Sequence, residues 1–117
     1  MAENQNELLQ KLAHVSINDL YAELAQTVSG GSPVGREARE RAGRALMLGH
    51  FSRLRDGICG KYRLSQGDGA TETVARDAAA ILDTVVAVTG LALVPAATLS
   101  VLVVKYGLAR LCLETVS

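Results

Sequence analysis

The length of 117 residues predicts a single domain, 1–117, that is large enough to bury a core without disulfides or metals. Hydrophobic residues make up 49% of the chain and aromatic residues only 3%. The core must therefore be built mainly from Ala, Val and Leu, which favours packed helices over a β-sandwich. The formal net charge is zero, which disfavours a nucleic-acid-binding domain of the usual strongly basic kind.

The charges are unevenly distributed along the chain. Residues 1–35 hold four acidic residues and one lysine, whereas residues 36–63 hold eight Lys or Arg and three acidic residues. Residues 64–117 are again slightly acidic. Such an arrangement indicates complementary helix faces, within one copy of the chain or between two copies.

Residues 3–28 are predicted to be helical, with Leu8, Leu12 and Val15 on one face. Ser16 followed by Asp19 resembles a capping box, which would restart the helix at Ile17. A kink or short break is therefore expected near Ser16. Residues 29–33 (SGGSP) form the first predicted loop.

A second helix is predicted over about 33–59, with Ser32 as its N-cap and Pro33 in its first turn. Gly57 or Gly60 is expected to end it. Its second half carries an apolar stripe, which should dock on the C-terminal helices: Met47, Phe51, Leu54 and Ile58. Residues 60–70 form a second loop, in which a short extended piece is expected at 62–64.

The C-terminal third holds the most apolar part of the chain. Residues 84–104 contain no charge, and Gly90 and Pro95 interrupt them. Apolar residues recur at intervals of three and four, as on one face of a helix: Val74, Ala78, Ile81, Val85, Val88 and Ala92. Because Pro95 fits the first turn of a new helix, two helices are predicted, about 71–93 and about 95–114.

Three placements of residues 84–104 compete. The run is long enough for a transmembrane helix, but Gly90, Pro95 and polar residues weaken insertion. A buried strand of this length is disfavoured because no hairpin turn divides the run. A helix pair buried in protein is preferred, and exposure of Val86, Leu91, Leu93, Val101 and Leu108 in a continuous belt would instead indicate lipid.

No motif for catalysis, cofactor binding or metal binding is found. Residues 67–69 (GDG) lack the Lys and Ser/Thr of a phosphate-binding loop, and His14 and His50 have no partner at ligand spacing. Cys59 and Cys112 match no metal or redox spacing, and two buried thiols in a reduced compartment are preferred over the alternative of a disulfide. Because residues 1–14 are polar and acidic, unlike a signal peptide, the expected location is the cytoplasm, with membrane association as the alternative.

Two groups of residues are candidates for interaction. The first group is basic and consists of Arg39, Arg53, Arg55, Lys61 and Arg63. Nucleic-acid contact through segment 36–63 is therefore a further alternative function. The second is a stripe of small residues, which allows close approach of another helix: Ala96, Ser100 and Gly107.

The sequence therefore predicts an all-α bundle of about four main helices with a very apolar C-terminal helix pair. The expected function is a non-enzymatic protein–protein interaction or self-assembly module, whose partner is a second copy or another helical protein. A small membrane-inserting or pore-forming protein that uses 84–104 is the alternative function.

Overall fold

A computed structural model describes residues 2–29, 35–59 and 71–107 of the chain. Within these ranges the chain forms six helices and no strand. They are α1 (Ala2–Ala13), α2 (Ile17–Ser29), α3 (Arg36–Gly49), α4 (Phe51–Ile58), α5 (Thr71–Thr89) and α6 (Leu93–Tyr106). The all-α prediction is confirmed, whereas the expected count of four main helices becomes six because both predicted N-terminal helices are divided.

Helix α6 lies at the centre of the bundle and packs against α1, α2 and α5. Residues 95–103 are all buried, as predicted for a helix that is apolar on every side. The hydroxyl of Thr98 donates to the carbonyl oxygen of Val94 at 3.0 Å, and that of Ser100 donates to Ala96 at 2.8 Å. Both buried hydroxyls are thus satisfied inside the helix itself.

The break between α1 and α2 lies where the sequence predicted it. The amide of Asp19 donates to Ser16 Oγ at 3.2 Å, which satisfies one of the free N–H groups at the start of α2. Leu9, Leu20 and Leu24 of the two helices are buried in the core. Two short helices therefore present apolar faces to α6 at different angles.

The predicted helix 33–59 is wrong in two respects. It begins at Arg36 with Gly35 as N-cap, and Pro33 lies outside the described residues. It is also divided at His50, whose φ of −100° and ψ of 1° depart from α-helical geometry. Its predicted apolar stripe is nevertheless fully buried, and α4 packs on α5 as expected: Met47, Phe51, Leu54 and Ile58.

The C-terminal pair is confirmed as two helices, with different limits from those predicted. Helix α5 ends at Thr89 because Gly90 takes a positive φ of 72°. Helix α6 begins at Leu93, so that Pro95 lies in its first turn, and it ends at Tyr106 before Gly107 with φ 106°. The chain bends by 119° between the two helices.

The prediction of a free thiol at Cys59 is wrong. Cys59 is half-buried at the end of α4 and is disulfide-bonded. The only other cysteine in the chain is Cys112, which lies outside the described residues. Because disulfides persist mainly in oxidising compartments, the expectation of a reduced cytoplasmic location loses its support from cysteine chemistry.

Helices α2 and α3 approach each other most closely at Gly43. A Cβ atom at this position would lie 1.7 Å from the carbonyl oxygen of Tyr21, a backbone atom that moves only with its helix. Gly43→Ala is therefore expected to lower the free energy of unfolding by at least about 3 kcal/mol, measured by urea denaturation.

Gly49→Ala is the matched control, because nothing lies within 4 Å of a Cβ at that position. This variant should be neutral or gain up to about 1 kcal/mol through its less flexible unfolded state. Equal effects of the two substitutions would contradict the close approach at Gly43.

The disulfide at Cys59 gives a second prediction. Dithiothreitol should lower the free energy of unfolding by about 2–4 kcal/mol, because the bond restricts the unfolded chain. The stability of Cys59→Ser should not respond to the reductant. Alkylation of both cysteines in the unreduced protein, detected by mass spectrometry, would refute the disulfide.

Candidate functional site

A groove of about 500 Å³ runs along one side of the bundle. Helices α1 and α2 form its walls, and the first turns of α3 and α6 close one part of it. Its lining residues are Leu8, Lys11, Leu12, Val15, Asp19, Ala22, Glu23, Gln26, Arg36, Arg39, Val94 and Thr98. A concave surface of this size can hold a ligand or a segment of another protein.

Several apolar side chains of the groove come from α1 and from the junction that follows it. Leu8, Leu12 and Val15 lie on the face that their spacing in the sequence predicted, and Val94 of α6 adds a fourth apolar side chain. Leu12 belongs to the buried core, whereas Leu8 and Val15 are half-buried. Val94 is 45% exposed, so apolar surface is open to a partner at this end of the groove.

Charged side chains of both signs form the rim of the groove. Arg36 binds the carboxylate of Asp19 and also contacts Glu40 at 3.2 Å. Because these side chains are largely exposed, the pairs contribute little to stability and mainly fix the orientation of Arg36. Lys11, Arg39 and Glu23 complete the rim.

The side chains that line the groove are suited to binding apolar and charged groups. Its lining residues include no histidine or cysteine that could act as base or nucleophile, and Asp19 is engaged by Arg36. Across the described ranges, no group of three or more His, Cys, Asp and Glu residues is placed to hold a metal ion.

Among the described residues, four large apolar side chains outside the groove are exposed, and Ile17 and Val28 of α2 are the least exposed of them. Leu48 on α3 is 59% exposed, the largest value for a bulky apolar residue in the described part of the chain. Leu93, at the turn between α5 and α6, is 43% exposed. Neither residue lines the groove, so each belongs to a separate surface.

Leu48 lies on a row of exposed side chains along α3, which we call the α3 ridge: Glu37, Arg41, Arg44, Ala45 and Leu48. Their spacing of three and four places them on one side of the helix. The guanidinium of Arg44 lies 5.3 Å from the ring centre of Tyr21. Leu48 follows Arg39 by nine positions, a rotation of about 180° at about 100° per residue, so the ridge faces away from the groove.

The structure distributes the predicted basic site over several places. Arg39 lies half-buried in the groove, Arg53 is exposed on α4, and Arg55 is half-buried there. The Arg55 Nε atom is buried without a hydrogen-bond partner among the described residues. Lys61 and Arg63 lie outside the described residues.

The predicted small-residue stripe lies mostly inside the protein. Ala96 and Ser100 are fully buried in the core formed around α6, where a helix of another chain does not reach them in this fold. Gly107 is half-buried at the end of α6. These residues thus pack the helices of one copy closely together.

Lys105 fixes the C-terminal end of α6. Its amine donates to the carbonyl oxygen of Val15 at 2.5 Å, next to the groove. Burial lowers the pKa of this amine from its usual value, since a desolvated ammonium is less favourable. The contact ties α6 to the junction of α1 and α2.

The residues that were expected to distinguish lipid from protein burial do not form a belt. Val101 is fully buried, Val86 and Leu91 are half-buried, Leu93 is exposed, and Leu108 lies outside the described residues. No single helix in the described ranges is long and apolar enough to cross a membrane. The segments Glu72–Thr89 and Leu93–Tyr106 pass by length and composition only as a bent pair.

No protein-family model, curated protein or solved structure matches the chain. The groove, the α3 ridge and the turn between α5 and α6 are therefore the features from which a function is inferred. The spacing of apolar residues predicts the apolar face of α1 but not the groove, because the groove is lined jointly by residues of α1, α2, α3 and α6.

Proposed function

We propose that this protein is a non-enzymatic module that self-associates, with the groove of one copy receiving the α3 ridge of another. The observation that carries the proposal is the exposure of Leu48, at 59%, on the face of α3 opposite the groove. A helix that presents an apolar side chain and a groove with apolar walls are the two halves of helix-in-groove recognition.

The apolar contact would involve Leu48 of one copy and Leu8, Leu12 and Val15 of the other. Transfer of a leucine from water to an apolar site contributes on the order of 2 kcal/mol when burial is complete. This supports a weak, concentration-dependent assembly rather than a permanent one.

Charges on the two surfaces permit a defined orientation. The α3 ridge carries Glu37 near its start and Arg41 and Arg44 further along, while the rim of the groove offers Lys11, Arg39 and Glu23. In one direction Glu37 would meet a basic side chain of the rim, and an arginine of the ridge would meet Glu23. Complementary charges of this kind determine register and association rate more than affinity.

The two surfaces point in different directions, so the proposed contact is head-to-tail. A pair of copies joined in this way keeps one free groove, on the copy that donated its ridge, and one free ridge, on the other copy. Association therefore continues until a ring closes or a chain forms. The oligomer distribution should therefore broaden with concentration and not stop at a dimer.

The sharpest test is complementation between two variants. Leu48→Asp should disable the ridge, and Ala22→Trp should fill the groove, because Ala22 is a half-buried groove residue. Each variant alone should be a monomer in size-exclusion chromatography with light scattering. A mixture should form a one-to-one heterodimer, because each partner keeps the surface that the other lacks.

Matched controls come from exposed residues elsewhere. Leu93→Asp removes an exposed leucine outside both surfaces, and Ala79→Trp adds a ring to an exposed position of α5. Both should self-associate like the unchanged protein. A monomeric unchanged protein at millimolar concentration would overturn the proposal. Variants that self-associate normally, or that fail to complement each other, would refute the head-to-tail contact.

A further inference from the structure

The turn between α5 and α6 is unusual for a surface loop. Residues 90–94, which we call the α5–α6 tip, have the sequence GLALV and carry no charge. Leu93 is 43% and Val94 45% exposed, and Ala92 is exposed beside them. Surface connections normally consist of polar residues that interact with water. The tip therefore presents adjacent apolar side chains where charged or polar ones are expected.

We infer that the α5–α6 tip inserts into lipid bilayers, with α6 following it into the apolar layer. This activity is additional to the proposed self-association and centres on Leu93, which lies outside the groove and the α3 ridge, although the adjacent Val94 also lines the groove. The occupant of the tip is the acyl-chain region of a membrane rather than a protein groove.

The segment behind the tip carries the inference. Residues 84–104 contain no charged side chain, and Asp83 and Lys105 mark the two ends of this uncharged stretch. Residues 96–103 are fully buried and uncharged, so this part of α6 exchanges a protein environment for a lipid environment without carrying a charge with it. Lys105, in the last turn of α6, stays at the membrane surface, and its hydrogen bond to Val15 must open on insertion. The backbone hydrogen bonds of a helix remain satisfied in lipid.

The length of α6 determines how deeply it enters. Its 14 residues extend over about 21 Å at about 1.5 Å per residue, less than the roughly 30 Å of a hydrocarbon core. Because α5 and α6 are suitable only as a pair bent by 119°, the inserted form is a re-entrant hairpin that enters from one side. We therefore expect α6 to enter the bilayer without crossing it.

A bilayer fits the tip better than a protein partner does. Two exposed side chains fall far short of the roughly 800 Å² that each partner contributes to a stable protein interface. A bilayer instead accommodates the tip and then the apolar helix behind it. The groove beside Val94 adds Lys11, Arg36 and Arg39 against Asp19 and Glu23, a small basic excess near lipid phosphates.

Fluorescence provides a direct test, because the chain contains no tryptophan. Leu93→Trp places a single reporter in the tip, and Leu48→Trp places one on the α3 ridge as the matched control. With vesicles of phosphatidylcholine and phosphatidylserine, emission of Leu93→Trp should shift to shorter wavelength and be quenched by brominated acyl chains. Leu48→Trp should show neither change.

Vesicle flotation tests the same surface without a reporter. Leu93→Asp should reduce binding of the full chain by at least about tenfold, because an aspartate is strongly disfavoured in the apolar layer. Leu48→Asp should bind vesicles like the unchanged protein. Leu48→Asp is also the ridge variant of the self-association test. The two proposals can therefore fail independently, because each variant is expected to affect only one of the two measurements.

Three outcomes would overturn membrane insertion. The first is an unchanged emission spectrum of Leu93→Trp in the presence of vesicles. The second is equal loss of vesicle binding in Leu93→Asp and Leu48→Asp. The third is binding that needs phosphatidylserine and disappears in high salt, which would indicate surface electrostatics without entry into the apolar layer.

Discussion

Residues 95–103 are buried on all sides, and a helix without a polar face can lie in water only at the centre of a bundle. The other helices follow from this constraint. Helices α1, α2 and α5 pack against α6. Farther out, α3 packs on α2, and α4 packs on α5. The hydroxyls of Thr98 and Ser100 donate hydrogen bonds to backbone carbonyl oxygens within α6. They therefore need no polar partner from a neighbouring helix.

Most of the fold could be predicted from the sequence because a helix with one buried face has apolar residues at regular intervals of three and four. The apolar stripes of residues 47–58 and 74–85 are buried as predicted, and the serine before α2 marks the break near residue 16. The division at His50 was not accessible, because the apolar spacing continues across it from Met47 to Phe51 and Leu54. A change of helix direction that preserves the spacing leaves no signal in the periodicity.

The candidate site depends on tertiary structure, so most of it could not be predicted from the sequence. The groove joins residues from four helices, and the sequence does not reveal that Arg39 and Val94 line the same groove as Leu8. The basic segment illustrates the same limit, since Arg39 and Arg53 project from different helices. The cysteines were misjudged because spacing along the chain contains no information on which thiols the fold brings together.

The central position of α6 has a consequence for synthesis of the protein. Helices α1 and α2 leave the ribosome first, yet α6, on which both pack, is formed only by residues 93–106, and α5, the other partner of α1, also follows late. At roughly 5–20 residues per second, the delay between the two is on the order of ten seconds. During that interval α2 has only α3 to pack on, and the apolar face of α1 has neither of its main native partners, α5 and α6. Nascent chains of this protein are therefore natural clients for chaperones that act beside the ribosomal exit tunnel.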